Sequence, residues 1–407
     1  MKNSPHDPLA WIDDELHLLD VQDLRRHVNT HQHTQPGCLR LDGRELVNFG
    51  SNDYLGLTHD PRLAAAVVAV ARDGCGAGAS PLVTGRTALH EQLERRLAEF
   101  EGTEAALLFA SGYAANVGTV AALAGREDAI FSDAKNHASI IDGCRLSRSN
   151  VHVYPHRDYE ALERLLRDAG AYRRRLIATE SVFSMDGDLA PLVELANLAQ
   201  CHECMLLVDE AHATGVFGTL GRGLAEQLGI EDRVDVRVGT LSKALGSSGG
   251  FVCGKQTLVD WLANRARTYV FSTASPPAFC AAGIVALNLV RDEPSRRVTL
   301  LERSAMLRGR LRDEGWPTHP GGSQIIPLVI GEAAEAVRLS VQLRQMGVLV
   351  PAIRPPSVPQ GESLLRISLS WAHSEPMIEQ LLLVLGCCSR PRTTAPEESL
   401  SPAQSMV

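Results

Sequence analysis

The chain has 407 residues, 44% of them hydrophobic and 22% charged, with a formal net charge of −8. It is long enough to bury a large core in two or three domains, and its ordinary composition excludes a fibrous or low-complexity chain. The acidic balance gives no electrostatic footprint for nucleic acid. No apolar run nears the roughly 18 residues of a membrane helix, and residues 1–8 have no apolar signal-peptide core; a cytoplasmic protein without a membrane partner is expected.

Residues 9–30 read as an amphipathic helix, 31–37 as a polar link, and 39–46 as a hairpin around Asp42-Gly43. Short apolar runs follow at 105–110, 129–132, 176–179, 205–208, 234–239 and 250–253, most of them separated by helical patterns such as 90–100 and 159–168. Strands alternating with helices predict a mostly parallel sheet covered by helices. From about residue 285 the texture changes. A charged helix (302–313), an apolar strand (324–330), a helix (333–346), strands at 348–350 and 364–370, and a last helix to about 385 predict a smaller α+β unit. The expected division is an N-terminal helix and hairpin segment (1–50), a large domain (51–285), a small C-terminal α+β domain (286–388) and a disordered tail rich in Ser, Pro and Thr (389–407).

Four of the predicted strands end in polar chemistry, where parallel sheets place their ligands. The endings are Ser111-Gly112-Tyr113, Thr179-Glu180-Ser181, Asp209-Glu210-Ala211-His212 and Thr240-Leu241-Ser242-Lys243. An apolar run ending in Asp-x-x-His, followed by a Ser/Thr-flanked lysine before Gly246, is the arrangement a pyridoxal-phosphate enzyme needs. Lys243 would hold the cofactor covalently, Asp209 would keep the ring nitrogen protonated, and His212 would sit beside the ring. Ser111-Gly112-Tyr113 opens a helix, whose free N–H groups and dipole suit a phosphate; Thr240 and Ser242 add hydroxyls. His137 follows a strand in Asp133-Ala134-Lys135-Asn136-His137 and, given the lysine, is expected to stack on the ring. His90 opens a regular helix and reads as structural.

Several patterns point elsewhere and fail. Asp209-Glu210-Ala211-His212 spells a helicase-type acidic box, and residues 249–256 nearly spell a P-loop, but Gln256 stands where Ser or Thr must bind magnesium, and the order is reversed. Residues 74–79 match a dinucleotide fingerprint but follow a helical run instead of a strand. Cys201-His202-Glu203-Cys204 has no second pair at zinc-site spacing, so no metal is expected, and the nine cysteines read as reduced thiols. Arg173-Arg174-Arg175 reads as a solvated edge, with contact to an anionic acyl carrier as the alternative.

Together these stretches resemble the α-oxoamine synthases, fold-type-I pyridoxal-phosphate enzymes that join an amino acid to an acyl thioester with decarboxylation. The resemblance runs from Arg25 to about Leu385. It is carried by residues 48–57, Ser111 to Asn116, His137-Ala138-Ser139, residues 179–188, Asp209 to His212, Thr240 to Gly246, residues 271–277 and Ile353-Arg354-Pro355-Pro356-Ser357-Val358-Pro359. The last stretch and residues 137–147 are similar to the branch that serves biotin synthesis from L-alanine and a pimeloyl thioester on CoA or acyl carrier protein.

The resemblance implies a homodimer in which Thr273 reaches the phosphate of the other subunit's cofactor. It implies that Lys243 moves the α-proton, that Asp209 pairs with the ring nitrogen, that His212 contacts the ring hydroxyl and that His137 stacks. Gly112, Tyr113, Ser184, Thr240 and Ser242 would line the phosphate and ring site. Arg354 would grip the amino-acid carboxylate; Arg25 and Ser357 match substrate-contacting positions, and Asn52 and Glu180 lie near the reacting centre. Pro81, Trp371 and Ser357 depart from the commoner residues, and the first two bear on acyl length. A sister synthase using glycine or serine, and a catalytically silent carrier-binding scaffold, are the competing expectations.

Overall fold

The computed structural model describes residues 7–318 and 321–389. The tail expected at 389–407 lies outside them beyond residue 389. Three sheets organise the chain. The first holds β1 (His31–His33), β2 (Cys38–Leu41) and β3 (Arg44–Asn48). Asp42 and Gly43 both take positive φ (49° and 75°) in the β2–β3 turn, which matches the right-handed twist of a hairpin.

The central sheet contains β4 (Ala105–Phe109), β5 (Ala129–Asp133), β6 (Asn150–Tyr154), β7 (Arg175–Glu180), β8 (Met205–Asp209), β9 (Val236–Thr240) and β10 (Gly250–Gly254). Its spatial order is β4-β10-β9-β8-β7-β5-β6. The five strands from β9 to β6 are parallel, and β10 runs antiparallel to both β4 and β9. Successive residues split between two cores. Leu107, Ile130, Leu176 and Leu207 pack on one face, with Ala115, Val120, Ile140 and Leu262; Leu108, Phe131, Ile177 and Leu206 pack on the other, with Leu93, Leu195 and Leu287. A sheet buried on both faces needs continuous apolar runs, which is why these strands read so clearly.

The third sheet holds β11 (Ile325–Gly331), β13 (Ala352–Ile353) and β14 (Ser363–Ser368) in the order β11-β14-β13. Between them β12 (Val348–Leu349) leaves this unit and pairs in parallel with β3, so the N-terminal hairpin shares a sheet with the later chain. The first helix is shorter than expected. It covers Trp11–Val21 with no buried residue on any face, and it ends before Asp23, whose φ of 55° is left-handed.

Strand register positions the site. Glu180 pairs with Asp209, and Thr240 with Gly250, so the carboxyl ends of β7, β8 and β9 meet at one edge. Ser111 then caps helix Gly112–Leu123, its side chain accepting from Ala114 N–H at 3.0 Å.

Candidate active site

Lys243 lies in a tight turn after β9. Gly246 closes it at φ +59°, its N–H donating to Lys243 O at 3.0 Å, and a Cβ there would stand 2.7 Å from the Leu57 backbone. Only glycine suits both demands. Lys243 Nζ lies 2.7 Å from His212 Nε2, and His212 Nδ1 lies 2.6 Å from the buried Tyr54 hydroxyl. That hydroxyl donates to Asn52 Oδ1 at 3.1 Å, where Arg366 Nη1 also donates at 3.1 Å. With the Tyr54 proton on Asn52, the tyrosine oxygen accepts from His212 Nδ1–H, and Nε2 is left to accept from Lys243. Burial holds His212 well below its ordinary value, and Lys243 and Arg366 add to this. Burial brings Lys243 down to about 8 against the pull of Asp209 and Glu180, which puts a neutral amine within reach near neutral pH.

A second chain of contacts holds Asp209. Its Oδ2 accepts from Asn116 Nδ2 at 2.6 Å and its Oδ1 from Ala211 N–H at 2.8 Å. Asn116 also donates to Ser139 Oγ at 2.9 Å, and Ser139 Oγ lies 2.7 Å from His137 Nδ1. His137 is lowered by burial, with Asp209 opposing. Glu180 is buried, its Oε1 has no partner, and desolvation followed by the Asp209 charge lifts it well above the carboxylate range. The edge therefore presents one proton-bearing acid beside Asp209.

Gly112 faces Thr240; a Cβ there would rest 3.4 Å from Thr240 Oγ1. Thr240 Oγ1 and Ser242 Oγ both donate to Gly249 O, at 2.9 and 3.2 Å. No protein acceptor is seen for the N–H groups of Gly112 and Tyr113 among the described residues. This helix N-terminus, edged by two hydroxyls, is chemically suited to a phosphate. Tyr113 is exposed, donates to Asp142, and turns its ring edge to His137 with centroids 6.5 Å apart.

Other expected residues lie apart from Lys243. Arg354 donates to the carbonyls of Asp23 and Arg25, and Arg25 pairs with Asp20 at 2.5 Å. Ser357 is exposed on the turn after Arg354, donating its N–H to Arg354 O at 3.1 Å. Thr273 is exposed, and none of the described contacts joins it to Lys243 within one chain. Ser184 is buried, its carbonyl accepting from Arg366 Nε at 2.5 Å.

Sequence reasoning passed over Arg366, Tyr54, Ser139 and Asn116 as individual residues. A lone arginine in the apolar run Leu364-Leu365-Arg366-Ile367 was the available signal for the first, because a buried charge demands partners.

The misleading patterns resolve into structure. Glu210 accepts from Leu224 and Ala225 N–H, at 3.0 and 2.9 Å, and so caps a short helix. Residues 250–254 are strand β10. His90 Nδ1 accepts from Thr87 N–H at 3.1 Å in a capping box, and its Nε2 donates to Ser275 O at 2.8 Å. Arg173 pairs with Asp128 at 2.9 Å and Glu127 at 3.5 Å. All nine cysteines are free thiols. Among the described residues no helix is long and apolar enough to cross a membrane.

The family model for class I and II aminotransferases matches residues 44–385. The chain is 50% identical over 378 residues to the 8-amino-7-oxononanoate synthase of Anaeromyxobacter dehalogenans, covering 93% of this chain and 95% of that one. Among solved structures it is similar to the Sphingomonas wittichii serine palmitoyltransferase, with a TM-score of 0.88, 35% identity, and coverage of 94% and 96%. It is also similar to a structure of SPT with PLP, with a TM-score of 0.88, 30% identity, and coverage of 95% and 98%.

Proposed function

Because the chain belongs to the class I and II aminotransferase family, with fold-type-I architecture, and within it to the α-oxoamine synthases, we propose that it condenses L-alanine with a pimeloyl thioester. The products are 8-amino-7-oxononanoate, carbon dioxide and the free thiol, a step of biotin synthesis. The observation that carries this reading is Lys243 set 2.7 Å from His212 at the strand edge that also bears Asp209 and Glu180. The half-identical relative of that name supports the biotin branch.

The residues present fit pyridoxal phosphate: a lysine with a lowered value, a carboxylate held by Asn116, and a capped helix start with unspent N–H groups. When bound, that cofactor supplies an electron sink for the amino acid's α-carbon. Lys243 would attach it and then exchange the proton at that carbon. Asp209 would hold the ring nitrogen, His212 the ring hydroxyl, and His137 the ring face. Gly112, Tyr113, Thr240 and Ser242 would hold the phosphate, with Thr273 supplied by a second copy in a homodimer.

The amino-acid carboxylate would meet Arg354, and Arg366 offers a second guanidinium already inside the cluster. A bidentate guanidinium–carboxylate pair fixes both position and orientation. Arg25 and Ser357 would contact the acyl donor side, and Asn52 would orient the reacting groups. CoA and acyl carrier protein both remain donors on this reading, and a cytoplasmic location suits it. The test is product formation from purified protein loaded with cofactor. An alanine–pimeloyl product supports the proposal, and a serine or glycine product moves the protein to a sister reaction.

A further inference from the structure

His156 is one imidazole held between two carboxylates that belong to different loops. Its Nδ1 lies 2.8 Å from Asp133 Oδ1, and its Nε2 lies 3.0 Å from Asp188 Oδ2. Carboxylates only accept, so both ring nitrogens carry protons and the ring is a cation. Burial opposes that charge, but the two carboxylates outweigh it and raise the group to about 9.

Asp133 ends β5, and the loop after it carries His137. Asp188 closes the loop after β7, which carries Ser184. Phe183, in the same loop, sets its ring at 89° to His156 with centroids 4.4 Å apart. This loop is also pressed onto the third sheet. Ser323 Oγ donates to Gly187 O at 2.6 Å, and a Cβ on Gly187 (φ +66°) would stand 2.2 Å from Ile325 O.

The neighbouring charges are spent locally. Arg157 pairs with Asp188 at 3.2 Å, and Lys135 with Asp186 at 3.1 Å and Glu362 at 3.9 Å. Tyr154 stays neutral, pushed up by burial and by Asp133. His156, Asp186 and Asp188 stand close enough to suggest a metal site. However, both imidazole nitrogens are committed to carboxylates, and Lys135 and Arg157 already supply the counter-charge.

We propose that His156 is a positioning residue: its imidazolium ties the loop bearing His137 to the loop bearing Ser184, and so sets the groups around the cofactor against Arg366. This rests on the site reading given above. The folded value lies above the ordinary 6.5, so the clamp is complete below pH 6.5 and is lost as pH rises through about 9.

The experiment uses full-length, cofactor-loaded protein with His156→Gln, His156→Arg and Asp188→Asn. Glutamine is neutral and cannot satisfy two carboxylates, whereas arginine restores a bridging cation. Expected for His156→Gln are a kcat lower by about 10–100-fold, a much smaller change in the amino-acid KM, and altered visible circular dichroism of the bound cofactor. His156→Arg should recover most of both. In the unsubstituted protein the His156 ring, followed by NMR, should titrate near pH 9, with kcat falling over the same interval. That limb should vanish in His156→Gln. If His156→Gln does not fold, Asp188→Asn must show the same losses. Unchanged kcat, dichroism and pH profile in the folded variant overturn the proposal, as does a ring that titrates near 6.5. Failure of the underlying reading looks different: the unsubstituted protein would show no visible cofactor absorbance.

Discussion

Arg366 and Asn52 meet at 3.1 Å across 314 residues of chain. This contact joins the third sheet to the line Asn52, Tyr54, His212 and Lys243. A guanidinium buried in an otherwise apolar strand is costly without partners, and Ser184 O and Ser368 Oγ complete its set at 2.5 and 2.7 Å. The arrangement leaves two arginines to answer one substrate carboxylate.

Arg354→Ala should weaken L-alanine binding by about 2–5 kcal/mol while leaving cofactor absorbance unchanged. Arg366→Ala should weaken it by a similar amount and also lower thermal stability, because Asn52 and Ser368 lose their partner. Alanine titrations of the two variants check this; unchanged affinity in either one removes that arginine from the site.

Lys243→Ala should abolish both turnover and the visible absorbance of covalently held cofactor. Far-ultraviolet circular dichroism should stay the same, because Lys243 carries no core packing. A variant that still holds the cofactor covalently would contradict the assignment.

Tyr54→Phe deletes the hydroxyl between Asn52 and His212. The buried His212 Nδ1 then loses its partner, at a cost of about 1–3 kcal/mol. The expected result is a lower kcat and a shift in the alkaline pH dependence that Lys243 controls, measured on folded protein.

His373 gives an acid-stability prediction independent of the site. Its Nδ1 accepts from Ser370 N–H at 3.0 Å, and its Nε2 donates to Asn48 O at 3.0 Å, so only the neutral ring satisfies both. Burial first, then Arg303, lowers it to about 4. The unfolded chain therefore binds a proton that the folded chain refuses. Stability should fall as pH drops from about 6.5 to about 4, by up to about 3 kcal/mol. Denaturant titrations of the protein and of His373→Gln over that range check the slope, which should be shallower in the variant.

The parallel strands and the Asp209, His212 and Lys243 set were legible because each leaves a local signal: continuous apolar runs, or polar residues at strand ends. Strand β6 was not, because its residues Asn150 to Val153 are exposed or half-buried at the sheet edge and carry no apolar run. β1 is three residues, two of them histidine. The pairing of β12 with β3 is a non-local choice that no window of sequence contains. Tyr54 and Asn116 lay inside recognised stretches, but their partners are set by the approach of β8 to two separate loops. Arg354 and Thr273 were picked by resemblance, and within one chain neither contacts the Lys243 cluster.

The most direct measurement mixes purified, cofactor-loaded protein with L-alanine, glycine or L-serine and a panel of acyl thioesters, and weighs the products by mass spectrometry. The account predicts the alanine–pimeloyl condensation product minus carbon dioxide, from CoA, from acyl carrier protein or from both. Product from another pair alone, or no product from any pair, would contradict it.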